Sequence, residues 1–213
     1  MSAETANAGV WGVVLAAGES RRMGSLKQLL PYGNVTMVEA VVDVLLSAQL
    51  QGVLVVLGHQ AERVYGAVQH LPVRCVINPR YPEGMLTSVQ CAVRALPKAF
   101  GICVALVDQP AVPASVVRAV AERVAAGAEG IVVPVHAGRR GHPVAINLQR
   151  YRDEVLGLPA SEGLRMLLQR HPNDVAEVNA DTSAVLRDVD LPDDYAREVD
   201  RLNQKGLADE HFG

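Results

Sequence analysis

The 213-residue sequence predicts a three-layer α/β fold: a mostly parallel β-sheet with helices on both faces, and a small β/α extension towards the C-terminus. Two observations lead there. Short apolar, β-branched runs, clearest at residues 53–57 and 102–107, lack polar alternation, as strands do when both of their faces are covered. Between such runs lie stretches with apolar residues at helical spacing, such as Met37, Val41, Val44 and Leu45. An alternating strand–helix order of this kind closes as a layered sheet with right-handed crossovers.

Residues 10–16 read as the first strand and 36–48 as the helix after it. A strand at 53–57, a helix at 61–68 and a strand at 73–77 follow. Residues 84–96 form a helix whose Val89, Ala92, Val93 and Leu96 face inward. A buried strand at 102–107 leads to a helix at 113–126, with Pro113 near its first turn, where a missing N–H costs nothing. Residues 130–135 are another strand. The rhythm then changes: a Gly-rich basic segment at 136–143 precedes a short strand at 144–147. Helices are expected at 148–156 and 161–170, with Ser161 as N-cap of the second. Short edge strands at 175–178 and 183–189 and a closing helix at 192–203 complete the extension. No internal repeat or low-complexity linker interrupts the chain. Residues 10–204 are therefore expected to form one domain, with 1–9 a disordered tail and 205–213 a frayed end.

Aromatic residues make up only 4% of the chain, so its core is built from Val, Leu and Ala. The formal net charge of −3 argues against nonspecific nucleic-acid binding. No apolar run approaches the ~20 residues that cross a bilayer. The small, polar start lacks the basic-then-apolar plan of a signal peptide, and a cytoplasmic location is expected. Cys75, Cys91 and Cys103 form no C-x-x-C pair, so they suggest small core residues and neither a zinc site nor a disulfide framework.

The segment that carries most chemistry follows the first strand: Leu15-Ala16-Ala17-Gly18-Glu19-Ser20-Arg21-Arg22-Met23-Gly24-Ser25-Leu26-Lys27. A strand ending in such a loop presents backbone N–H groups and positive charge at one point, which suits a nucleoside triphosphate. Arg21, Arg22 and Lys27 offset phosphate charge, Arg as a fork and Lys as a point charge. Neither G-x-x-x-x-G-K-[ST] nor G-x-G-x-x-G fits these residues. The competing reading is a surface turn with solvated cations.

Four further segments could join this loop. Asp108-Gln109-Pro110 places a carboxylate just after a buried strand, suited to Mg²⁺ or to capping the next helix. Asn78 begins a loop fixed by Pro79 and Pro82, with Ser88 one turn into the helix behind it. In open parallel sheets ligands bind beyond the carboxyl ends of the strands. Gly18, Asn78 and Asp108 each follow such an end and are expected to share one crevice. The basic loop Gly138-Arg139-Arg140-Gly141-His142-Pro143 suits an anionic second substrate, or is a mobile hairpin. Asp188 and Asp190 alternate on the expected strand, so they point the same way. His59 either borders the crevice or is a satisfied loop histidine.

Leu15-Ala16-Ala17-Gly18-x-Ser20-x-Arg22-Met23-Gly24-x-x-Lys27 resembles the signature loop of nucleotidyltransferases with a MobA-like fold. Asp108-x-Pro110, Asn78-Pro79 with Gly84-Met85-x-x-Ser88, and Asp188-x-Asp190-x-Pro192-x-Asp194 resemble further motifs of that family, in family order. The Ala16-Ala17 pair and the Arg140-Gly141-His142-Pro143 phrase resemble the molybdenum cofactor cytidylyltransferase branch more than the guanylyltransferase branch.

The resemblance implies a Rossmann-like nucleotidyltransferase fold. It implies that Leu15, Ala16, Ala17, Gly18, Ser20, Arg22, Met23, Gly24, Lys27, Asn78 and Ser88 bind the nucleotide. Arg22, Lys27 and Asp108 would be catalytic, Asp108 and Asp190 would hold Mg²⁺ (or Mn²⁺), and Arg140, Gly141, His142 and Pro143 would face the acceptor. The implied reaction moves CMP from CTP to the phosphate of molybdenum-bearing molybdopterin, with release of pyrophosphate. An apo-molybdoenzyme is a possible partner, and neither nucleic acid nor membrane is expected. Two alternatives stay open: a sugar or polyol phosphate as acceptor, and a cofactor-carrying chaperone without turnover.

Overall fold

A computed structural model describes residues 9–210 of the chain. In chain order it comprises β1 (Val10–Ala16), β2 (Pro31–Tyr32), β3 (Val35–Thr36), α1 (Met37–Ser47), β4 (Gly52–Leu57), α2 (Ala61–Val68), β5 (Arg74–Ile77), α3 (Met85–Ala95) and β6 (Gly101–Leu106). There follow α4 (Ala114–Ala125), β7 (Ile131–His136), β8 (Arg139–Arg140), β9 (Val144–Asn147), α5 (Leu148–Gly157), α6 (Arg165–Arg170), β10 (Val175–Asn179) and α7 (Pro192–Glu210).

The main sheet runs β10-β7-β9-β6-β1-β4-β5, with β8 paired to β7. Its pairings are parallel except at β9 and β8. The exception has a simple cause. The chain leaves β7 and returns through the short segment 137–143, and a connection that short joins antiparallel strands, whereas a parallel pair needs a crossover.

Side chains of β1 alternate between two apolar layers. Val10, Val14 and Ala16 pack on the side of α1, α2 and α4, while Val13 and Leu15 pack on the side of α3, α5 and α6. Burying each such Val or Leu contributes about 1.5–3 kcal/mol. α1 begins with a capping box: Thr36 accepts from the Glu39 N–H, and the Glu39 carboxylate accepts from the Thr36 N–H. In register, Ala16 pairs with Leu57 and Leu15 with Leu106, so β1, β4 and β6 end side by side. The loops that follow open on one edge, as expected for this class.

Several sequence expectations need correction. Residues 183–189 do not form an edge strand. Ser183–Leu186 is a 3₁₀ turn, capped by the Thr182 hydroxyl, and it runs against the 141–142 backbone. α6 begins at Arg165, with Leu164 rather than Ser161 at its N-cap position. Cys75 and Cys91 are only partly buried, and only Cys103 is a core residue. Trp11, which its place at the start of the first strand suggests as a core residue, is half-buried: its Nε1–H donates to Gln51 Oε1 and its ring carries the Arg74 guanidinium. The closing helix continues past Asn203 to Glu210. Residues 1–8 and 211–213 of the expected tail and frayed end lie outside the described residues. No helix among the described residues is long and apolar enough to cross a membrane.

Candidate functional site

The chain after β1 leaves the sheet as a compact loop. Ser20 takes up a left-handed backbone (φ 56°), unusual for a side-chain-bearing residue, and Gly24 does the same at φ 67°. A short 3₁₀ turn, Lys27–Leu29, brings the chain back, and its first residue points Lys27 across the ends of the strands. Lys27 Nζ donates to Asp108 Oδ2 at 2.6 Å, to Asp190 Oδ1 at 3.1 Å and to the Val189 carbonyl at 3.3 Å. All three ammonium protons are thereby engaged. Arg22 donates to the other oxygen of Asp190 at 2.7 Å. Arg21 turns outward and pairs with Glu19.

Residues separated by up to 168 positions thus meet at one point. The side chains of Lys27 and Asp108 are 12% and 15% exposed, and Asp190 is 32% exposed. Burial raises the Asp108 carboxyl above the ordinary aspartate range; Lys27 opposes the rise, and the nearby Asp188 and Asp190 carboxylates add to it. Asp108 Oδ1 is buried with no hydrogen-bond partner in the protein.

Asp188 and Asp190 lie on an extended segment anchored by the Val189 N–H to the Asp108 carbonyl, 2.9 Å. Asp188 accepts from Gln109 Nε2 at 2.6 Å, and Asp190 turns to Lys27 and Arg22. The sequence also allows Asp190 to cap the last helix and Asp188 to be solvated; the structure instead commits Asp190 to the two cations and Asp188 to Gln109. Asp194, in the first turn of α7, reaches back and accepts from the Asp190 and Leu191 N–H groups just ahead of the helix.

Beside this cluster is a pocket of about 180 Å³, lined by Leu15, Ala17, Gly18, Lys27, Gln28, Tyr81, Met85, Ser88, Leu106, Val107 and Asp108. Leu15, Ala17, Gly18, Lys27, Ser88 and Asp108 are thus brought together as expected. Ala16 is buried behind the wall. Ser20, Arg22, Met23 and Gly24 form the outer arm of the loop and do not line the pocket. Asn78 sits behind Ser88: its amide donates to Thr87 Oγ1 at 2.9 Å and Ser88 Oγ at 3.0 Å, and its oxygen accepts from the Arg80 N–H. His59 contacts Tyr81 and Gln60 and does not line the pocket.

A second, larger cleft of about 630 Å³ is lined by Arg140, Gly141 and His142, by Val133 and Val144, and by Leu164, Arg165, Leu168, Gln169 and Pro172. Leu15 and Leu106 of the first pocket and Val133 and Val144 of the second share one face of the sheet. With the strand order β7-β9-β6-β1, the two cavities lie side by side on that face. Pro143 lines neither cavity; with His142 it borders a water-sized void next to Gln109 that is walled by Val41 and Leu45 of α1 and Val117 of α4, on the other face of the sheet. Gly141 fits only without a side chain, because a Cβ there would stand 2.1 Å from the Val185 carbonyl oxygen. Arg140 pairs with Glu177 on β10. Burial lowers the His142 imidazole below its usual range, against the pull of Asp188 and Asp108, so the ring is neutral at pH 7.

Residues 12–175 match the MobA-like NTP transferase domain. The chain belongs to that family. It is a nucleotidyltransferase by class, and the two adjacent cavities suit a family that joins two substrates. The nicotine blue oxidoreductase of Paenarthrobacter nicotinovorans is 30% identical over 88% of this chain and 95% of its own length. The molybdenum cofactor cytidylyltransferase of Escherichia coli K12 is 25% identical over 90% and 96%. The bifunctional IPC transferase and DIPP synthase of Rubrobacter xylanophilus is 42% identical over 54% of this chain, which spans about a quarter of that longer protein, 27%. Among solved structures, Rv0371C of Mycobacterium tuberculosis H37Rv in complex with manganese superposes with a TM-score of 0.77, at 31% identity over 90% of this chain and 98% of that one.

The sequence reading missed Gln28, Tyr81, Met85, Gln109 and the α6 residues Arg165 and Gln169. Tyr81, Met85 and Gln109 stand inside segments already singled out and Gln28 directly follows one, so position was their signal; nothing in the local pattern marks the two α6 residues.

Proposed function

We propose that this transferase moves CMP from CTP to the phosphate of molybdenum-bearing molybdopterin, releasing pyrophosphate. The observation that carries the reading is the Lys27–Asp108–Asp190 cluster, set beside a small pocket and a larger, apolar-walled cleft edged by cations. Ligand cavities run from about 300 to 1,000 Å³, and a cleft of about 630 Å³ suits a bulky acceptor better than a small sugar or polyol phosphate. The relative named for cytidylyl transfer aligns over nearly the whole chain, which supports the same reading.

The acceptor phosphate oxygen attacks the α-phosphorus, a new P–O bond forms, and the bond to the β-phosphate breaks. Such a transfer needs in-line positioning and charge neutralisation more than covalent help. Lys27 and Arg22 stabilise charge gathering on the departing pyrophosphate. Ser88, held by Asn78, faces the ribose, and the Gly18 loop faces the phosphates. Arg140 and Arg165 offer charge to the acceptor, and neutral His142 offers a hydrogen bond.

The carboxylates also fit a divalent ion. Asp108 Oδ1 is a buried, unpartnered oxygen, and Asp190 accepts from the same Lys27 ammonium as Asp108 Oδ2. Among the described residues no three acidic, His or Cys side chains gather as a complete cage. One or two carboxylates completed by substrate phosphates are what Mg²⁺ accepts. The manganese complex of the mycobacterial relative supports a divalent ion here. When bound, Mg²⁺ or Mn²⁺ supplies charge neutralisation at the phosphates.

The test is pyrophosphate release from CTP with either molybdenum-loaded molybdopterin or a polyol phosphate. Faster release with molybdopterin supports the reading. Faster release with the polyol phosphate would replace the acceptor, and release with neither would favour a carrier.

A further inference from the structure

Gln28 is the one large polar residue of the site with no exposed surface at all, 0%. It does not face a substrate. Its amide nitrogen donates to the Ala16 carbonyl at 3.1 Å and to the Gly18 carbonyl at 2.7 Å. Its carbonyl oxygen accepts from the Ser20 hydroxyl at 3.2 Å, and that hydroxyl oxygen in turn accepts from the Lys27 N–H at 3.1 Å. One side chain therefore ties the end of β1, the bend of the loop and the residue that carries Lys27. Both amide protons are in use, and every partner belongs to the same thirteen-residue segment, 16–28.

The consequence follows from peptide geometry. A trans peptide points its C=O and N–H in opposite directions. Drawing the Gly18 carbonyl inward onto Gln28 turns the Glu19 N–H outward. Holding Ser20 by its hydroxyl keeps it in the left-handed conformation that it would otherwise leave. A loop shaped in this way presents N–H groups to an anion before the anion arrives, and preorganised donors need no rearrangement on binding.

We propose that Gln28 is the positioning residue of the phosphate loop: it sets the donor side of the loop towards the triphosphate and fixes the root of Lys27. The role rests on the nucleotidyltransferase reading but not on the choice of base or acceptor. It concerns the phosphates alone.

The experiment therefore uses inorganic tripolyphosphate with Mg²⁺ as its probe, alongside CTP and CMP, each measured by calorimetric titration of the full chain. In Gln28→Leu, tripolyphosphate and CTP should both weaken by about 10- to 100-fold, the order that unpaired buried groups imply. CMP, with one phosphate, should weaken far less, so the CTP-over-CMP preference collapses. In turnover, KM for CTP should rise much more than kcat falls. A merely structural role would lower the active fraction and leave these ratios unchanged, and that result would overturn the proposal. Ser20→Gly is the second variant. Glycine suits the left-handed backbone, so the fold is kept while the link between Gln28 and Lys27 is lost. Both hydrogen bonds of the Ser20 hydroxyl are lost, and tripolyphosphate should weaken by at least about 3- to 10-fold, as even one modest hydrogen bond implies. If Gln28→Leu does not fold, unchanged tripolyphosphate affinity in Ser20→Gly overturns the proposal by itself. A wild type that binds tripolyphosphate but turns over no CTP would refute the cytidylyltransferase reading and leave this role intact.

Discussion

Replacing Lys27 by Met tests the charge cluster, because a side chain of similar length is kept while its charge is lost. Three hydrogen bonds disappear, to Asp108, Asp190 and the Val189 carbonyl. Asp108 then has both oxygens buried or nearly so, with no cation beside them, and Oδ1 has no partner even in the native protein. Breaking a buried pair costs roughly 3–5 kcal/mol. Asp190 is a third exposed and keeps Arg22, so its share is small. A destabilisation of about 2–4 kcal/mol at pH 7.5 follows, which for a chain of this size lowers Tm by roughly 5–15 °C. The sign of the pH dependence is also set. Burial already raises the Asp108 carboxyl, and loss of Lys27 raises it further. A carboxyl whose folded value lies above its unfolded value favours the folded state at low pH and disfavours it as pH rises through the folded value. The difference from wild type should therefore shrink as pH is lowered from about 7.5 towards the ordinary aspartate range. Mg²⁺ should stabilise the variant more than the wild type, since a bound cation replaces the lost charge. Activity should fall by on the order of 10²–10³. Urea denaturation at several pH values reads all of the stability effects. A difference below about 1 kcal/mol that does not change with pH would refute the charge argument.

Gly141→Ala should destabilise by about 1–3 kcal/mol or more, because its Cβ would strike a backbone oxygen that cannot swing away; thermal unfolding shows it. Asp190→Asn should cut turnover by on the order of 10², while Asp188→Asn, which still accepts from Gln109, should cost much less. Equal losses would mean that the two carboxylates share one role. Burial raises Glu198, but Arg187 and Arg201 outweigh it and hold the carboxyl below the ordinary glutamate range. Its contribution is present at neutral pH and is lost as pH falls below about 4.5. Glu198→Gln should therefore be less stable than wild type at pH 7, with the gap narrowing as pH falls below about 4.5, and a constant gap in denaturant midpoint would contradict this.

The sheet was legible because strands buried on both faces leave runs such as Val53 to Leu57 that solvent-facing segments do not produce. The crevice was legible because strand ends position loops. Ser183-Ala184-Val185-Leu186 misled the reading: its composition suits a strand, yet its place is fixed by contact with Gly141 and His142, far away in sequence. Gln28 was illegible for a related reason. A glutamine beside a lysine reads as solvated, and only the folded loop shows that its amide is wrapped by carbonyls. The destinations of Asp188 and Asp190 depended on where β6 ends, which local pattern does not encode.

The central claim is best tested by pyrophosphate release with Mg²⁺ and molybdenum-loaded molybdopterin, comparing CTP, GTP and ATP, in wild type and Asp108→Ala. The account predicts release with CTP above the other two, lost in the variant. Equal or greater release with GTP or ATP, or undiminished release in Asp108→Ala, would contradict it.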